Sequence, residues 1–93
     1  MIQIRVPEGA LLREAAQPGC TLDQLKPGES ATVKGVVGGG ALRGRLLEMG
    51  FVSGTPVRVV RLAPFGDPME IELHGYHISL RRSEARTILV HPA

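Results

Sequence analysis

Residues 69–80 read Met-Glu-Ile-Glu-Leu-His-Gly-Tyr-His-Ile-Ser-Leu, and this stretch is the clearest indication of the fold. Apolar and polar residues alternate on both sides of His74-Gly75, which is typical of β-strands with one buried face. A His-Gly pair closes a two-residue hairpin turn when the histidine adopts a positive φ. Counting back from the turn predicts pairs on the buried face and on the outer face: Leu73 with Tyr76, Ile71 with Ile78 and Met69 with Leu80 inside, Glu72 with His77 and Glu70 with Ser79 outside.

Three further strands are predicted around this hairpin, over residues 30–37, 56–63 and 87–90. In the first of them the alternation places four residues inward: Ala31, Val33, Gly35 and Val37. Short strands joined by tight turns close most economically into a small barrel, because closure removes exposed edges. The predicted fold class is therefore mainly β, a small barrel of about five short antiparallel strands.

One short helix is predicted to interrupt the strands, over residues 41–49. Leu42, Leu46 and Met49 recur at the spacing of one helix face. Gly50 follows as the left-handed residue that ends the helix, with Phe51 packing on Leu46. Single helical turns are predicted after Thr21, which begins a capping box, and over residues 83–86. Tight turns are assigned to five glycines: Gly28, Gly50, Gly54, Gly66 and Gly75.

The composition is that of one soluble globular domain. The 93 residues are 43% hydrophobic and 22% charged, so the chain is expected to fold. We divide it into an N-terminal extension, residues 1–19, in which Ile2, Ile4 and Val6 have the pattern of an edge strand, and a domain over residues 20–93. Membrane insertion and secretion are not indicated, and the single cysteine, Cys20, suits a reducing compartment, so the expected location is the cytoplasm.

Several function classes are disfavoured by the residues. The 11 Lys and Arg are interspersed with 9 Asp and Glu, and the cluster Arg81, Arg82 and Arg86 has no aromatic platform beside it, so nucleic acid is not an expected partner. Gly38-Gly39-Gly40 lacks the Lys-Ser or Lys-Thr of a phosphate-binding loop, and there is no HExxH pair or nucleophile with a base at suitable spacing. We therefore expect no enzymatic activity.

The outer face of the predicted hairpin is a candidate metal site. Glu70, Glu72 and His77 share the outer face of the predicted hairpin and offer the oxygen and nitrogen ligands that Fe²⁺ or Zn²⁺ accept. Glu72 opposite His77 is equally a cross-strand charge pair. No cofactor is firmly indicated, and a divalent ion is the only candidate.

Partner contacts are predicted on the helix and on the loop of residues 64–68. Five residues form this candidate surface: Leu47, Met49, Phe51, Pro64 and Phe65. Leu46, Met49 and Phe51 are equally expected as the lid of the core, whereas Leu47 and Phe65 are the better candidates for exposure.

The blocks of sequence between residues 21 and 90 resemble the FeoA family. They are Leu22, Leu25, Gly28 and Val33, then Arg45-Leu46-Leu47-Glu48-Met49-Gly50-Phe51, Gly54-Thr55-Pro56-Val57, Ala63-Pro64-Phe65-Gly66-Asp67-Pro68, and Ile78-Ser79-Leu80-Arg81 with Glu84-Ala85. The resemblance implies an SH3-like barrel and a cytoplasmic accessory of FeoB, the ferrous iron transporter with an intracellular G-protein-like domain.

Other functions stay open at this stage. The chain is alternatively a transition-metal sensor or metallochaperone, or a regulatory domain like that of metal-dependent repressors, although no helix-turn-helix precedes it. A reader of proline-rich peptides is disfavoured, because Phe51, Phe65 and Tyr76 are too few and scattered to line a groove. Self-association into a homo-oligomer is compatible with the pattern.

Overall fold

The computed structural model describes residues 20–93, and the predicted extension over residues 1–19 lies outside them. In chain order the elements are a 3₁₀ turn (Leu22–Gln24), β1 (Ser30–Val36), α1 (Gly40–Met49), β2 (Pro56–Leu62), β3 (Met69–Leu73), β4 (Tyr76–Leu80), α2 (Arg82–Ala85) and β5 (Ile88–Pro92). The strands form one antiparallel sheet in the order β4-β3-β2-β1-β5. The predicted class, mainly β with five strands and one inserted helix, is confirmed.

The hairpin of β3 and β4 has the predicted register at every pair, from Leu73 with Tyr76 to Met69 with Leu80. His74 has φ 53° and Gly75 has φ 80°, as the two-residue turn requires. The prediction that Tyr76 is buried is wrong, since its side chain is 72% exposed. β4 is an edge strand, and only its last residue, Leu80, is fully covered by the core.

In β1 the predicted inward set is correct at Ala31 and Val33 and wrong beyond them. The pairing with β5 shifts register between Val33 and Gly35, so that Val36 points into the core and Val37 is 46% exposed. A bulge of this kind leaves one extra residue on one strand, which exchanges the two faces for everything after it.

The core is built from inward residues of all five strands, together with Leu22 of the 3₁₀ turn, Leu46 of α1 and Ala85 of α2. Leu46 is fully buried, and Leu42 and Met49 pack against the core from the same helix face, as predicted. The helix ends as expected: Gly50 has φ 116°, its N–H donates to the carbonyl of Leu47 at 3.1 Å, and the Phe51 N–H donates to that of Leu46 at 3.1 Å. Among residues 20–93, no helix has the length and apolar character that crossing a membrane requires.

Candidate functional site

The loop between β2 and β3 carries the most exposed large apolar side chain of the described residues. Phe65 is 98% exposed. The loop is closed by two backbone hydrogen bonds, from the Gly66 N–H to the Ala63 carbonyl at 2.7 Å and from the Ala63 N–H to the Pro68 carbonyl at 3.0 Å. Gly66 permits this closure because its φ is 84°. The chain therefore holds a phenylalanine in water on a tightly hydrogen-bonded loop.

A shallow groove lies next to this loop, between α1 and the edge strand β4. Seven residues line it: Arg45, Met49, Pro68, Ser79, Leu80, Arg81 and Glu84. Leu80 is only 2% exposed, so Met49 and Pro68 present the apolar surface. An apolar floor with charged residues around it is the usual composition of a protein-binding surface. We call these seven residues the α1–β4 groove.

The five predicted contact residues differ in how exposed they are. Met49 lines the groove, and Pro64 and Phe65 are exposed on the neighbouring loop. Leu47 is half-buried and packs against the core. Phe51 is fully buried, so its prediction as a contact residue is wrong: the turn after α1 directs its ring into the barrel, where no partner reaches it.

Glu84 joins the two helices at the rim of the groove, which the sequence reasoning missed. Its Oε1 accepts a hydrogen bond from the Arg81 N–H at 2.9 Å, and its Oε2 forms an ion pair with Arg45 of α1. The spacing Arg81-x-x-Glu84 carries the local half of this signal, because a glutamate at the third helical position commonly accepts from the N-cap amide. The contact to Arg45, 39 residues away, has no local signal.

The three predicted metal ligands do not converge. Glu70 accepts hydrogen bonds from Arg61 Nε at 2.6 Å and pairs with His77 Nδ1 at 2.7 Å, whereas Glu72 accepts from Arg58 Nη2 at 2.7 Å. Because β3 lies between β2 and β4, each outward carboxylate has an arginine on the β2 side, and His77 reaches the diagonal Glu70 instead of Glu72. Among residues 20–93, no three His, Cys, Asp or Glu side chains are grouped as a metal site would need.

The electrostatics of Glu70 follow from these contacts. The hydrogen bond from Arg61 has the largest effect and lowers the pKa of the Glu70 carboxyl; desolvation opposes it, and the contact with His77 lowers the pKa again. Glu70 is therefore held as a carboxylate that two side chains already occupy.

Comparisons with known proteins identify the family. The FeoA domain model matches residues 20–92. A curated Fe(2+) transport protein A/Fe(2+) transporter FeoB fusion protein of Porphyromonas gingivalis (strain ATCC BAA-308 / W83) is 44% identical over 69 residues, which are 74% of this chain and 8% of the fusion protein. This chain thus corresponds to a small part of that relative.

Two solved structures share the fold. The solution structure of the FeoA protein from Chlorobium tepidum is 41% identical, with a TM-score of 0.73 over 78% of this chain and 70% of that one. The zinc complex of Stenotrophomonas maltophilia FeoA, described as an SH3 domain protein, is 36% identical, with a TM-score of 0.69 over 76% and 88%. The SH3-like prediction is thereby confirmed, and the chain belongs to the FeoA family.

Proposed function

We propose that this chain is an accessory of a FeoB-type ferrous iron transporter, which it contacts on the cytoplasmic side and whose activity it modulates. The observation that carries the proposal is the fusion of a 44% identical sequence to FeoB in one polypeptide. Fusion keeps two modules at a high effective concentration, which is useful when they act on each other. The S. maltophilia relative is described as a candidate activating factor for bacterial ferrous iron transport, which supports the same role.

The surface that suits this role is the α1–β4 groove with the Phe65 loop beside it. Phe65 is 98% exposed, and Met49 and Pro68 supply apolar lining next to it. Aromatic anchors of this kind dominate binding energy when they enter a pocket on a partner. FeoA is a non-enzymatic accessory domain, so the effect on transport would come from binding one conformation of the transporter more tightly than another.

The test is calorimetry of the purified protein with the intracellular domain of the FeoB-type transporter from the same organism, under anaerobic conditions. The titration is run with and without Fe²⁺ and guanine nucleotide. Saturable binding whose affinity changes with nucleotide or iron is the expected result, because modulation requires unequal affinity for two states. Equal affinity in every state would contradict modulation, and no binding would contradict the accessory role.

A metal-binding role is the second candidate, and one observation favours it: the S. maltophilia relative was solved with zinc. In this chain Glu70 and His77 are the only predicted ligands in contact, at 2.7 Å. Two ligands leave a Zn²⁺ or Fe²⁺ ion short of the four or more that a stable site has, so the described residues do not fit a resident metal centre. An Fe²⁺ affinity that is tight, stoichiometric and lost in His77→Ala, but kept in His74→Ala, would favour the sensor over the accessory.

A further inference from the structure

We infer that Arg82 is the positioning residue that holds the Phe65 loop in its binding conformation. This inference rests on the proposed function, since it assigns a role within the same surface. Arg82 connects its own helix, α2, to two segments that are far from it in the chain, the loop of residues 63–68 and the 3₁₀ turn. Its Nη1 donates to the Gly66 carbonyl at 3.2 Å, its Nη2 donates to the Asp23 carbonyl at 2.6 Å, and its backbone N–H donates to Asp67 Oδ1 at 3.0 Å.

The geometry suits an arginine in particular. The planar guanidinium carries donors in a fixed fork, so one end can bind the loop while the other binds the 3₁₀ turn. Asp23 lies in that turn, whose neighbour Leu22 is fully buried in the core. The loop is therefore anchored, through Arg82, to a segment that the core itself holds in place.

Two contacts of Arg82 fall on the two residues that follow Phe65: the guanidinium donates to the Gly66 carbonyl, and the backbone N–H donates to the Asp67 carboxylate. Phe65 itself has almost no contact with the rest of the protein, because it is 98% exposed. Its position therefore depends on the backbone on either side of it. A rigid loop loses less conformational entropy on binding than a loose one, so the contacts of Arg82 would increase affinity without touching the partner.

The first experiment needs no partner. Backbone ¹⁵N relaxation and amide hydrogen exchange of residues 63–68 are compared among the full-length wild type, Arg82→Gln, Arg82→Lys and Arg86→Gln. Arg86→Gln is the matched control, since Arg86 also pairs with Asp23, at 3.7 Å, and its removal changes the net charge equally. We expect faster motion and exchange in Arg82→Gln and no change in Arg86→Gln. Arg82→Lys should change less than Arg82→Gln, because its ammonium still donates to one of the two carbonyls although it lacks the fork that binds both. A loop as rigid in Arg82→Gln as in the wild type would overturn the inference.

The second experiment is a double-mutant cycle on binding to the intracellular domain of the transporter. Arg82→Gln is expected to weaken binding about tenfold, which is the scale of a good neutral contact. In a Phe65→Ala background the same change should have little further effect, because a positioning residue acts only through the residue that it positions. Equal losses in both backgrounds would overturn the inference even if the loop becomes mobile. If the wild type does not bind, the proposed function fails, and the loop measurement still decides whether Arg82 holds the loop.

Discussion

The imidazole of His74 occupies the space that a methyl group on Gly50 would need. A methyl group on Gly50 would be 2.9 Å from His74 Cδ2 and 3.0 Å from Nε2, closer than carbon atoms approach without displacement. Both residues have positive φ, 116° at Gly50 and 53° at His74. The end of α1 and the turn between β3 and β4 therefore constrain each other, although 24 residues separate them.

Gly50→Ala is expected to lower the free energy of unfolding by about 1–2 kcal/mol, chiefly because a side chain is unfavourable at a φ of 116°. The exposed ring of His74 would also have to move aside. Gly44→Ala is the control, because Gly44 lies within α1 and a methyl group there meets no atom within 4 Å. It should raise stability by about 0.5–1 kcal/mol, which is the difference in helix propensity. Urea denaturation measures both. Gly50→Ala is also measured in a His74→Ala background. If the loss of stability is the same as in the protein that keeps His74, the clash with the ring contributes nothing.

Substituting the two phenylalanines is expected to have opposite effects: Phe65→Ala should affect binding, and Phe51→Ala should affect stability. Phe65→Ala should change the free energy of unfolding by less than about 0.5 kcal/mol, because its ring is 98% exposed. Its affinity for the transporter domain should fall about tenfold or more. Phe51→Ala should lower stability by about 3–5 kcal/mol, because the ring is fully buried. Thermal denaturation and calorimetry measure the pair. Unchanged affinity in Phe65→Ala would remove the loop from the binding surface.

The bulge in β1 predicts unequal effects for two adjacent valines. Val36→Ala should destabilise by about 2 kcal/mol, since Val36 is 7% exposed and leaves a cavity. Val37→Ala should remain within about 0.5 kcal/mol of the wild type, because Val37 is 46% exposed. Chemical denaturation decides between them. A larger loss of stability in Val37→Ala than in Val36→Ala would contradict the bulge and favour uninterrupted alternation over residues 30–37.

The contacts of Glu70 predict a stability that depends on pH. Its pKa is lower in the folded protein than in the unfolded chain, chiefly because Arg61 donates to it, so the folded state binds fewer protons there. The contribution is complete above the ordinary carboxyl pKa of about 4.3 and is lost as the pH falls through the lower, folded value. Glu70→Gln should therefore be less stable than the wild type at pH 6, and the difference should shrink by pH 3.

Urea midpoints of wild type and Glu70→Gln across that range are the measurement. Glu48→Gln is the control for net charge, because Glu48 is exposed and takes no part in the ion pairs found among residues 20–93. A difference between wild type and Glu70→Gln that stays constant with pH would contradict the assigned cause.

Much of the fold could be predicted from local patterns. The bounds and register of β3 and β4 agree with the structure throughout, because a two-residue turn fixes which residues face each other and the period of two fixes their sides. The end of α1 was also predictable, since Gly50 and the apolar residues before and after it specify the stop. Predicted bounds of the other elements differ from the structure by one or two residues at their ends.

The errors share one cause, which is that neighbours from distant parts of the chain decide them. The bulge in β1 depends on how β5 pairs with it, and Tyr76 is exposed because β4 is an edge strand. His77 contacts the diagonal Glu70 and not Glu72, which lies opposite it in the register. None of these relations can be predicted from a short stretch of neighbouring residues.

By itself the sequence determined the class of fold, the hairpin and the glycine turns, because each depends on patterns of residues close together in the chain. It also determined the family, because several short blocks occur in the family's order over residues 21–90. Only the tertiary structure decided which apolar residues remain outside, as with Phe65 and Phe51. It also decided how Arg82 reaches Asp23, 59 residues away, and Gly66, 16 residues away. The physical reason is that exposure and long side-chain contacts depend on the packing of whole elements, whereas turns and strand periodicity depend on local backbone geometry.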